Sequence, residues 1–298
     1  MGLDDSELWP KAHACANGTR SAALQAAESN QFSARSTGST LTCMSDPRLF
    51  ELSGRTALVT GASRGIGAAA AVALAAAGAR VVGTARSEAS LLQTQAAVIA
   101  AGGEFAAMAC DLTDREAVSA LSDRVARAGF EIDILINNAG IARRAPAEEH
   151  SDASWDEVLD VDLRAPALLA RDLGRDMLDR RWGRIVFLAS MMTFQGGRNV
   201  ASYAAAKSGV AGIVHALANE WTGRGVTVNA VAPGYIRTEL TVRSHADEQT
   251  NQRFVERIPA GRWGEPEDLA GPIVFLCSEA SSYVSGVVLP VDGGWLVR

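Results

Sequence analysis

The chain has 298 residues, of which 48% are hydrophobic and 21% are charged, and its formal net charge is −6 with a sequence pI near 5.3. This composition is typical of a globular protein with enough apolar material for one large core, and the acidic balance excludes the basic surface expected of a nucleic-acid-binding protein. No run of about eighteen apolar residues is free of charges and chain breakers, so we predict no transmembrane helix.

The first 43 residues differ in composition from everything that follows. They are rich in Ala, Ser, Thr, Asn and Gly, lack helical or strand periodicity, and contain no apolar segment of a secretory signal. Acidic residues among them argue against a transit peptide, whereas "SDPRLFELSGRTALVTG" after Met44 is typical of a domain start. We therefore predict a disordered extension at residues 1–43 and a single folded domain at residues 44–298.

The cysteines indicate neither a metal site nor a disulfide framework. Cys15, Cys43, Cys110 and Cys277 form no C-x-x-C pair, and no Cys/His cluster has zinc spacing. We expect reduced thiols in a cytoplasmic protein, and no metal ion.

Short apolar runs alternate with stretches of helical length from residue 54 onwards. The runs occupy residues 56–61, 80–85, 104–110, 133–140, 183–190, 226–234 and 286–294. Runs that are apolar on both faces predict parallel strands buried between two layers of helices. The expected fold class is therefore α/β, with one doubly wound, Rossmann-type parallel sheet of about seven strands.

A glycine-rich loop, "TGASRGIG" (60–67), follows the first predicted strand and opens a helix. Gly61, Gly65 and Gly67 allow a tight turn and a close approach of the backbone to a pyrophosphate. The N-terminus of the following helix supplies free N–H groups and the positive end of a dipole. A glycine-rich turn alone is a weak signal, but its place between a first strand and a helix predicts dinucleotide binding.

The end of the second predicted strand distinguishes NAD from NADP. An acidic residue there would accept hydrogen bonds from the ribose 2′-hydroxyl, but Ala85 and Arg86 occupy this position, and Arg64 lies in the glycine loop. Because arginine grips phosphate through two parallel hydrogen bonds, the pair favours NADP(H), with NAD(H) as the second possibility. The alternative is that both arginines are ordinary solvent-exposed side chains.

"SYAAAK" (202–207) places Tyr203 and Lys207 four residues apart, which is one face of a helix. Together with the glycine loop, "NNAG" (137–140), Ser190 and "PGYIRT" (233–238), this pair makes the chain resemble the short-chain dehydrogenase/reductase family over roughly residues 50–298. The resemblance implies an oxidoreductase in which Tyr203 is the general acid/base, Ser190 binds the reacting oxygen, and Lys207 holds the nicotinamide ribose. A nearby ammonium favours phenolate, so Lys207 should lower the pKa of Tyr203 from its ordinary value of ~10.

The same resemblance implies cofactor contacts along one edge of the sheet. They are Gly61, Ser63, Arg64, Gly65, Ile66, Gly67, Arg86, Asp111, Leu112, Asn138, Ala139, Gly140, Tyr203, Lys207, Pro233, Gly234, Ile236 and Thr238.

Asp162 is a departure from the family, which usually carries an asparagine at this place and uses its main-chain carbonyl to hold a relay water. Pro166, four residues on, has no N–H with which to bond the Asp162 carbonyl, so we expect that carbonyl to be free for water. We therefore include Asp162 in the catalytic set, and the additional carboxylate is expected to act near Lys207.

Segments of the C-terminal half resemble the sugar-acid branch of the family, which implies a substrate of gluconate or 2-keto-3-deoxygluconate type. The candidate substrate contacts are Arg143, Arg144, Met192, Gln195 and Arg198, with Asn199 beside them. Either Arg143 or Arg144 could clamp a carboxylate, and the long segment 238–262 is interpreted as a substrate cap. Alternatives on the same scaffold are a 3-oxoacyl carrier-protein reductase, a general carbonyl reductase or a non-catalytic nucleotide sensor. The family is mostly tetrameric, so a homotetramer without nucleic-acid or membrane partners is expected.

Overall fold

A seven-stranded parallel sheet forms the centre of the computed structural model, which describes residues 47–298. The predicted extension at residues 1–43, including Cys15 and Cys43, lies outside the described residues. The strands are β1 (Thr56–Thr60), β2 (Arg80–Ala85), β3 (Phe105–Ala109), β4 (Ile134–Asn137), β5 (Gly183–Leu188), β6 (Val226–Pro233) and β7 (Val288–Val291). Each strand lies within one of the predicted apolar runs, and all pair in parallel, which confirms the predicted fold class.

Helices cover both faces of the sheet. They are α1 (Gly65–Ala76), α2 (Leu92–Ala100), α3 (Arg115–Arg127), α4 (Asp152–Leu159), α5 (Ala165–Arg180), α6 (Ala201–Trp221), α7 (Val242–Ala246), α8 (Glu248–Arg257) and α9 (Ala270–Cys277). Apolar side chains of α1, α2 and α9 form one core cluster, and those of α3, α5 and α6 form the other. Successive side chains of β1 point to opposite faces of the sheet and contribute to both clusters. Leu58 belongs to one cluster, and Ala57 and Val59 belong to the other. No helix between residues 47 and 298 has the length and apolar character needed to cross a membrane.

The strand order β3-β2-β1-β4-β5-β6-β7 determines where a ligand can bind. Neighbouring strands β1 and β4 are not consecutive in the chain, so the connections that leave them diverge and open a crevice at their carboxyl ends. The segments that follow these two strands, "TGASRGIG" and "NNAG", meet there. A Cβ atom built on Gly61 would lie 2.9 Å from Cα of Ala139.

A π-helical turn, Asp160–Arg164, joins α4 to α5. The N–H of Ala165 donates to the carbonyl of Asp160, five residues back, and Pro166 follows with no N–H to donate. A regular α-helix is expected here from the sequence, whereas the chain forms a wider turn that accommodates the proline. A free Asp162 carbonyl stays a prediction, but the Asp162 side chain lies fully inside the protein, 0% exposed.

Candidate active site

The N-terminus of α1 is open to an anion. Arg64 occupies the N-cap position with no capping hydrogen bond from its side chain, and the first turn contains no acidic residue. Gly61 and Gly65 adopt φ angles of 64° and 55°, which favour glycine. The first backbone N–H groups of a helix have no intrahelical acceptor, so this loop fits the pyrophosphate of a dinucleotide.

Asn138 fastens the loop after β4 to the glycine loop. Its Nδ2 donates to the carbonyl oxygens of Thr60 at 2.8 Å and Gly61 at 3.2 Å. Its backbone N–H donates to Oγ1 of Thr60 at 3.0 Å. Gly67 packs against the same place, since a Cβ atom there would lie 2.3 Å from the Gly61 carbonyl oxygen. The glycine loop, which forms the cradle for the pyrophosphate, therefore depends on close contact with the loop after β4.

The remaining predicted cofactor positions follow the carboxyl ends of neighbouring strands. Asp111 and Leu112 come after β3, and Pro233 ends β6 with Gly234 following it. Thr238 lies over the glycine loop, where a Cβ on Gly65 would be 3.5 Å from its Cγ2. Ser63, Ile66, Ala139 and Ile236 belong to the same three segments: the glycine loop, "NNAG" and "PGYIRT".

The two arginines of the NADP argument differ in their surroundings. Nη2 of Arg64 forms an ion pair with Oε2 of Glu239 at 2.9 Å, and both side chains are exposed. Arg86 is also exposed, and it makes no ion pair within residues 47–298. An exposed pair contributes only ~0–1 kcal/mol, so Glu239 holds Arg64 weakly enough for another anion to replace it.

Tyr203 and Lys207 lie on one face of α6, with Nζ of Lys207 5.6 Å from the centre of the phenol ring. Nζ also donates to the carbonyl oxygen of Leu188, the last residue of β5, at 2.8 Å. Ser190 lies two residues beyond the end of β5 rather than at its end, and its Oγ accepts from the Met192 N–H at 3.2 Å. The Ser190 hydroxyl also hydrogen-bonds to Tyr203 and thereby lowers the pKa of the phenol. The structure thus brings the three predicted side chains together.

The Asp162 carboxylate reaches the same group from the π-helical turn. Its Oδ1 accepts a hydrogen bond from the Ile141 N–H at 2.7 Å, and its Oδ2 lies 3.2 Å from Nζ of Lys207. Gly140 makes this approach possible, because a Cβ there would lie 2.9 Å from Oδ2 of Asp162. The carboxylate thus lies beside Lys207, as the sequence predicts, and the buried side chain of Asp162 forms the ion pair.

The electrostatic balance at Tyr203 differs from the sequence argument. Burial raises the pKa of Tyr203, and although Lys207 lowers that pKa as predicted, Asp162 opposes it, so the pKa lies above its ordinary value in the free protein. Burial lowers the pKa of Lys207, but Asp162 and Tyr203 outweigh it, so that pKa is raised and the ammonium is kept. Burial also raises the pKa of Asp162, against the lowering effects of Lys207 and the Ile141 N–H.

Comparison with known proteins identifies the family. A family model described as enoyl-(acyl carrier protein) reductase matches residues 61–296. A 2-dehydro-3-deoxy-D-gluconate 5-dehydrogenase from Pseudoalteromonas atlantica is 48% identical over 252 residues, which cover 84% of this chain and 98% of the relative. The chain belongs to the short-chain dehydrogenase/reductase family. The resemblance inferred from the motifs is thereby confirmed, and the protein is an oxidoreductase acting on alcohol groups.

Two further relatives bear on the substrate and the cofactor. A crystal structure from Beutenbergia cavernae, described as an NAD(P)-dependent gluconate 5-dehydrogenase with NADP bound at low occupancy, is 50% identical. The match has a TM-score of 0.81 and covers 84% of this chain and 100% of that one. A 3-oxoacyl-[acyl-carrier-protein] reductase from Escherichia coli is 39% identical over 241 residues, which cover 81% of this chain and 97% of the relative.

The two arginines that follow "NNAG" in this short-chain dehydrogenase/reductase are not equivalent. Arg143 makes a fork with Glu157, in which Nε donates to Oε2 at 2.8 Å and Nη2 donates to Oε1 at 2.7 Å. Arg144 makes no such pair within residues 47–298, and its positive charge lowers the pKa of both Tyr203 and Tyr235. Arg144 is therefore the arginine whose charge reaches the phenol, whereas Arg143 already binds a carboxylate of its own chain.

The loop between Ser190 and α6 carries the other candidate substrate contacts. Met192 and Gln195 are partly buried in it, and Arg198 is exposed. The carbonyl of Asn199 accepts a hydrogen bond from the Ala145 N–H at 3.2 Å, which ties this loop to the one that carries the arginines.

Residues 238–262 form the short helix α7 and the helix α8, which pack beside the site. Phe254 of α8 contacts Tyr235 with ring centres 4.2 Å apart. Ile258 joins Met191 and Trp295 in a small apolar cluster next to Ser190. These aromatic residues come from distant segments and share no spacing, so no sequence pattern identifies them as a cluster. Between residues 47 and 298 no group of acidic, His or Cys side chains could hold a metal ion.

Proposed function

We propose that this protein is an NADP(H)-dependent dehydrogenase that interconverts a secondary alcohol and a ketone on a sugar acid of gluconate or 2-keto-3-deoxygluconate type. The observation that carries the proposal is the phenol of Tyr203, which lies beside the buried ammonium of Lys207 and whose pKa is also lowered by the positive charge of the exposed Arg144 guanidinium. The Lys207 ammonium supports proton transfer by Tyr203, and the Arg144 guanidinium can bind the carboxylate of the substrate. The names of the sugar-acid dehydrogenases among the relatives support the same substrate class.

Proton transfer at the substrate oxygen is assigned to Tyr203. Its phenolate takes the proton of the substrate hydroxyl during oxidation, and the phenol returns it during ketone reduction. Ser190 donates a hydrogen bond to the reacting oxygen, and Lys207 stabilises the phenolate and holds the ribose of the cofactor. The nicotinamide, when bound, accepts or supplies the hydride.

The preference for NADP(H) rests on charge at the end of β2. Arg86 follows Ala85 where an acidic residue would select NAD, and Arg64 occupies the N-cap position of α1. For Arg64 to bind the 2′-phosphate it must leave Glu239, which an exposed ion pair allows. The bound NADP in the relative from Beutenbergia cavernae supports this preference.

The proposed function is tested by following nicotinamide absorbance with NADPH or NADH and a panel of ketones. The panel contains a 3-deoxyhexulosonate, a 5-ketogluconate and a β-ketoacyl thioester. We expect oxidation of NADPH with a sugar-acid ketone. Activity on the thioester alone would contradict the substrate class and support the 3-oxoacyl reductase alternative, and a preference for NADH would contradict the argument from Arg64 and Arg86.

We expect Arg144→Ala to raise KM for a sugar acid about 10-fold or more, because a hydrogen bond to a charged group contributes roughly 1.5–3 kcal/mol. Arg143→Ala is the matched control, and it should change KM much less because its guanidinium already binds Glu157. KM for an uncharged alcohol should be insensitive to both changes. Equal effects of the two substitutions would contradict the assignment of the carboxylate to Arg144.

We further propose that the protein acts as a homotetramer in the cytoplasm. Val297 and Tyr283 support an additional interface, because they are 90% and 99% exposed near the C-terminus. Trp221, the last residue of α6, does not contribute to it, since its ring packs on Gly174 of the same chain. Light scattering after size-exclusion chromatography should give four times the subunit mass, and a monomer would contradict the proposal.

A further inference from the structure

We propose that the Asp162 side chain is a positioning residue, which holds the Lys207 ammonium and thereby sets the pH range in which Tyr203 exchanges its proton. The inference rests on the proposed role of Tyr203 as the acid/base. It assigns a task to the carboxylate itself, separate from any water bound at the Asp162 carbonyl.

The groups around the Asp162 side chain suit a carboxylate in this arrangement. Oδ1 receives the Ile141 N–H at 2.7 Å, and Oδ2 faces Nζ of Lys207 at 3.2 Å. Both oxygens therefore face donors inside the protein, where Asp162 is 0% exposed and Lys207 is 4% exposed. A carboxylate accepts at both oxygens, whereas an asparagine accepts at one and donates at the other. If asparagine replaced Asp162 in this arrangement, its NH2 group would face either the Lys207 ammonium or the Ile141 N–H. In both orientations one donor would face another donor.

The backbone around the pair is built for this contact. The Leu188 carbonyl accepts from Nζ of Lys207 at 2.8 Å and fixes the ammonium from the sheet side. Gly140 leaves the space that Oδ2 of Asp162 occupies, since even a Cβ would come within 2.9 Å. Nζ of Lys207 thus has one hydrogen-bond acceptor, the Leu188 carbonyl, and one ion-pair partner, the Asp162 carboxylate, and together they orient the ammonium that lies beside the Tyr203 ring.

Three charged groups act on Tyr203 from three different elements. Lys207 lies on α6, Asp162 comes from the π-helical turn, and Arg144 from the loop after β4. The negative charge of Asp162 opposes the effect of Lys207 on the Tyr203 pKa, so the phenol loses its proton at higher pH than it would beside Lys207 and Arg144 alone. Removal of the Asp162 charge should therefore move the titration of Tyr203 to lower pH.

The test is a phenolate absorbance titration of Asp162→Asn and of the wild type, each corrected with the same protein carrying Tyr203→Phe. The chain has only three tyrosines, so the difference isolates Tyr203. We expect the midpoint to fall by about one pH unit or more in the variant. In steady-state oxidation, the rising limb of kcat should shift in the same direction, and KM for NADP should rise several-fold because Lys207 is displaced.

Two further variants make the outcome decisive. Asp162→Ser removes the charge, and its hydroxyl can turn its oxygen rather than its hydrogen toward Lys207. It should therefore shift the Tyr203 titration but raise KM for NADP less than Asp162→Asn does. Asp133→Asn is the matched control, because Asp133 is also buried and accepts a backbone N–H, from Thr56 at 3.0 Å, at the opposite edge of the sheet. It should leave the Tyr203 titration unchanged.

An unchanged Tyr203 midpoint in both Asp162 variants would overturn the inference, even if their melting temperatures fall. That result leaves the proposed function standing as long as the wild type reduces a sugar-acid ketone. Conversely, a shifted midpoint in a protein that turns over no sugar acid would overturn the proposed substrate and keep the assignment of Asp162.

Discussion

Tyr203→Phe should lower kcat at least ~100-fold, since general acid/base catalysis contributes about 10²–10⁴-fold, while NADPH still binds with nearly wild-type affinity. The substitution removes one oxygen and keeps the ring that lies 5.6 Å from the Lys207 ammonium. The neighbouring hydroxyl of Ser190 has no base of its own in the described contacts, so it cannot replace the phenol. The measurement is single-turnover absorbance, together with NADPH fluorescence titration.

The matched control for this substitution is Tyr283→Phe. Tyr283 belongs to none of the segments that form the candidate active site, so loss of its hydroxyl should leave turnover unchanged whether or not its exposed ring lies in a subunit interface. If Tyr203→Phe retained a tenth or more of the wild-type kcat, the proton would have to be transferred by another group, and the acid/base assignment would be wrong.

The fold was predictable because strands and helices leave local signals. Each strand of the sheet is short, apolar on both faces and bounded by glycine or polar turns, as in "TALVTG" for β1. The order of the strands was not predicted, and in the structure it places the glycine loop beside "NNAG". The Tyr203–Lys207 pair was predictable for the same local reason, since a separation of four residues in a helix determines which side chains share a face.

Contacts between distant segments were not predictable in the same way. Glu157 and Glu239 bind Arg143 and Arg64 respectively, and nothing in the spacing of these residues indicates the pairing. These partners change the interpretation of the arginines, because a guanidinium that already holds a carboxylate is a weaker candidate for a ligand. Sequence patterns identify residue types near a site, whereas the partners that neutralise them depend on tertiary packing.

The π-helical turn at Asp160–Arg164 is an intermediate case. Pro166 signals a disturbed helix in the sequence, and the structure has one. The sequence does not show which way the side chains of the disturbed turn point. In the structure, the Asp162 carboxylate points inward to Lys207. Pro166 therefore indicates where the helix is irregular, whereas the contact between Asp162 and Lys207 depends on tertiary packing.

Gly67→Ala should destabilise the protein by about 1–3 kcal/mol, the usual cost of overpacking, and weaken NADPH binding at least several-fold. A Cβ at this position would lie 2.3 Å from the Gly61 carbonyl oxygen and 2.4 Å from Nδ2 of Asn138. Both are atoms of the hydrogen bond that joins the two loops, so either the bond breaks or the glycine loop moves away from "NNAG". Alanine gains roughly 1 kcal/mol over glycine within a helix, but that gain does not offset a clash with backbone.

Thermal unfolding with and without NADPH separates the two effects of Gly67→Ala. The substitution should lower the melting temperature of the free protein and also reduce the increase that NADPH produces, because stabilisation by a ligand depends on its affinity. Gly223→Ala is the control, since a Cβ at this exposed turn would meet no atom within 4 Å, and it should change neither quantity. A Gly67→Ala protein with a lower melting temperature but an undiminished NADPH-dependent increase would show that the close contact serves packing alone, and that the cradle for the pyrophosphate does not depend on it.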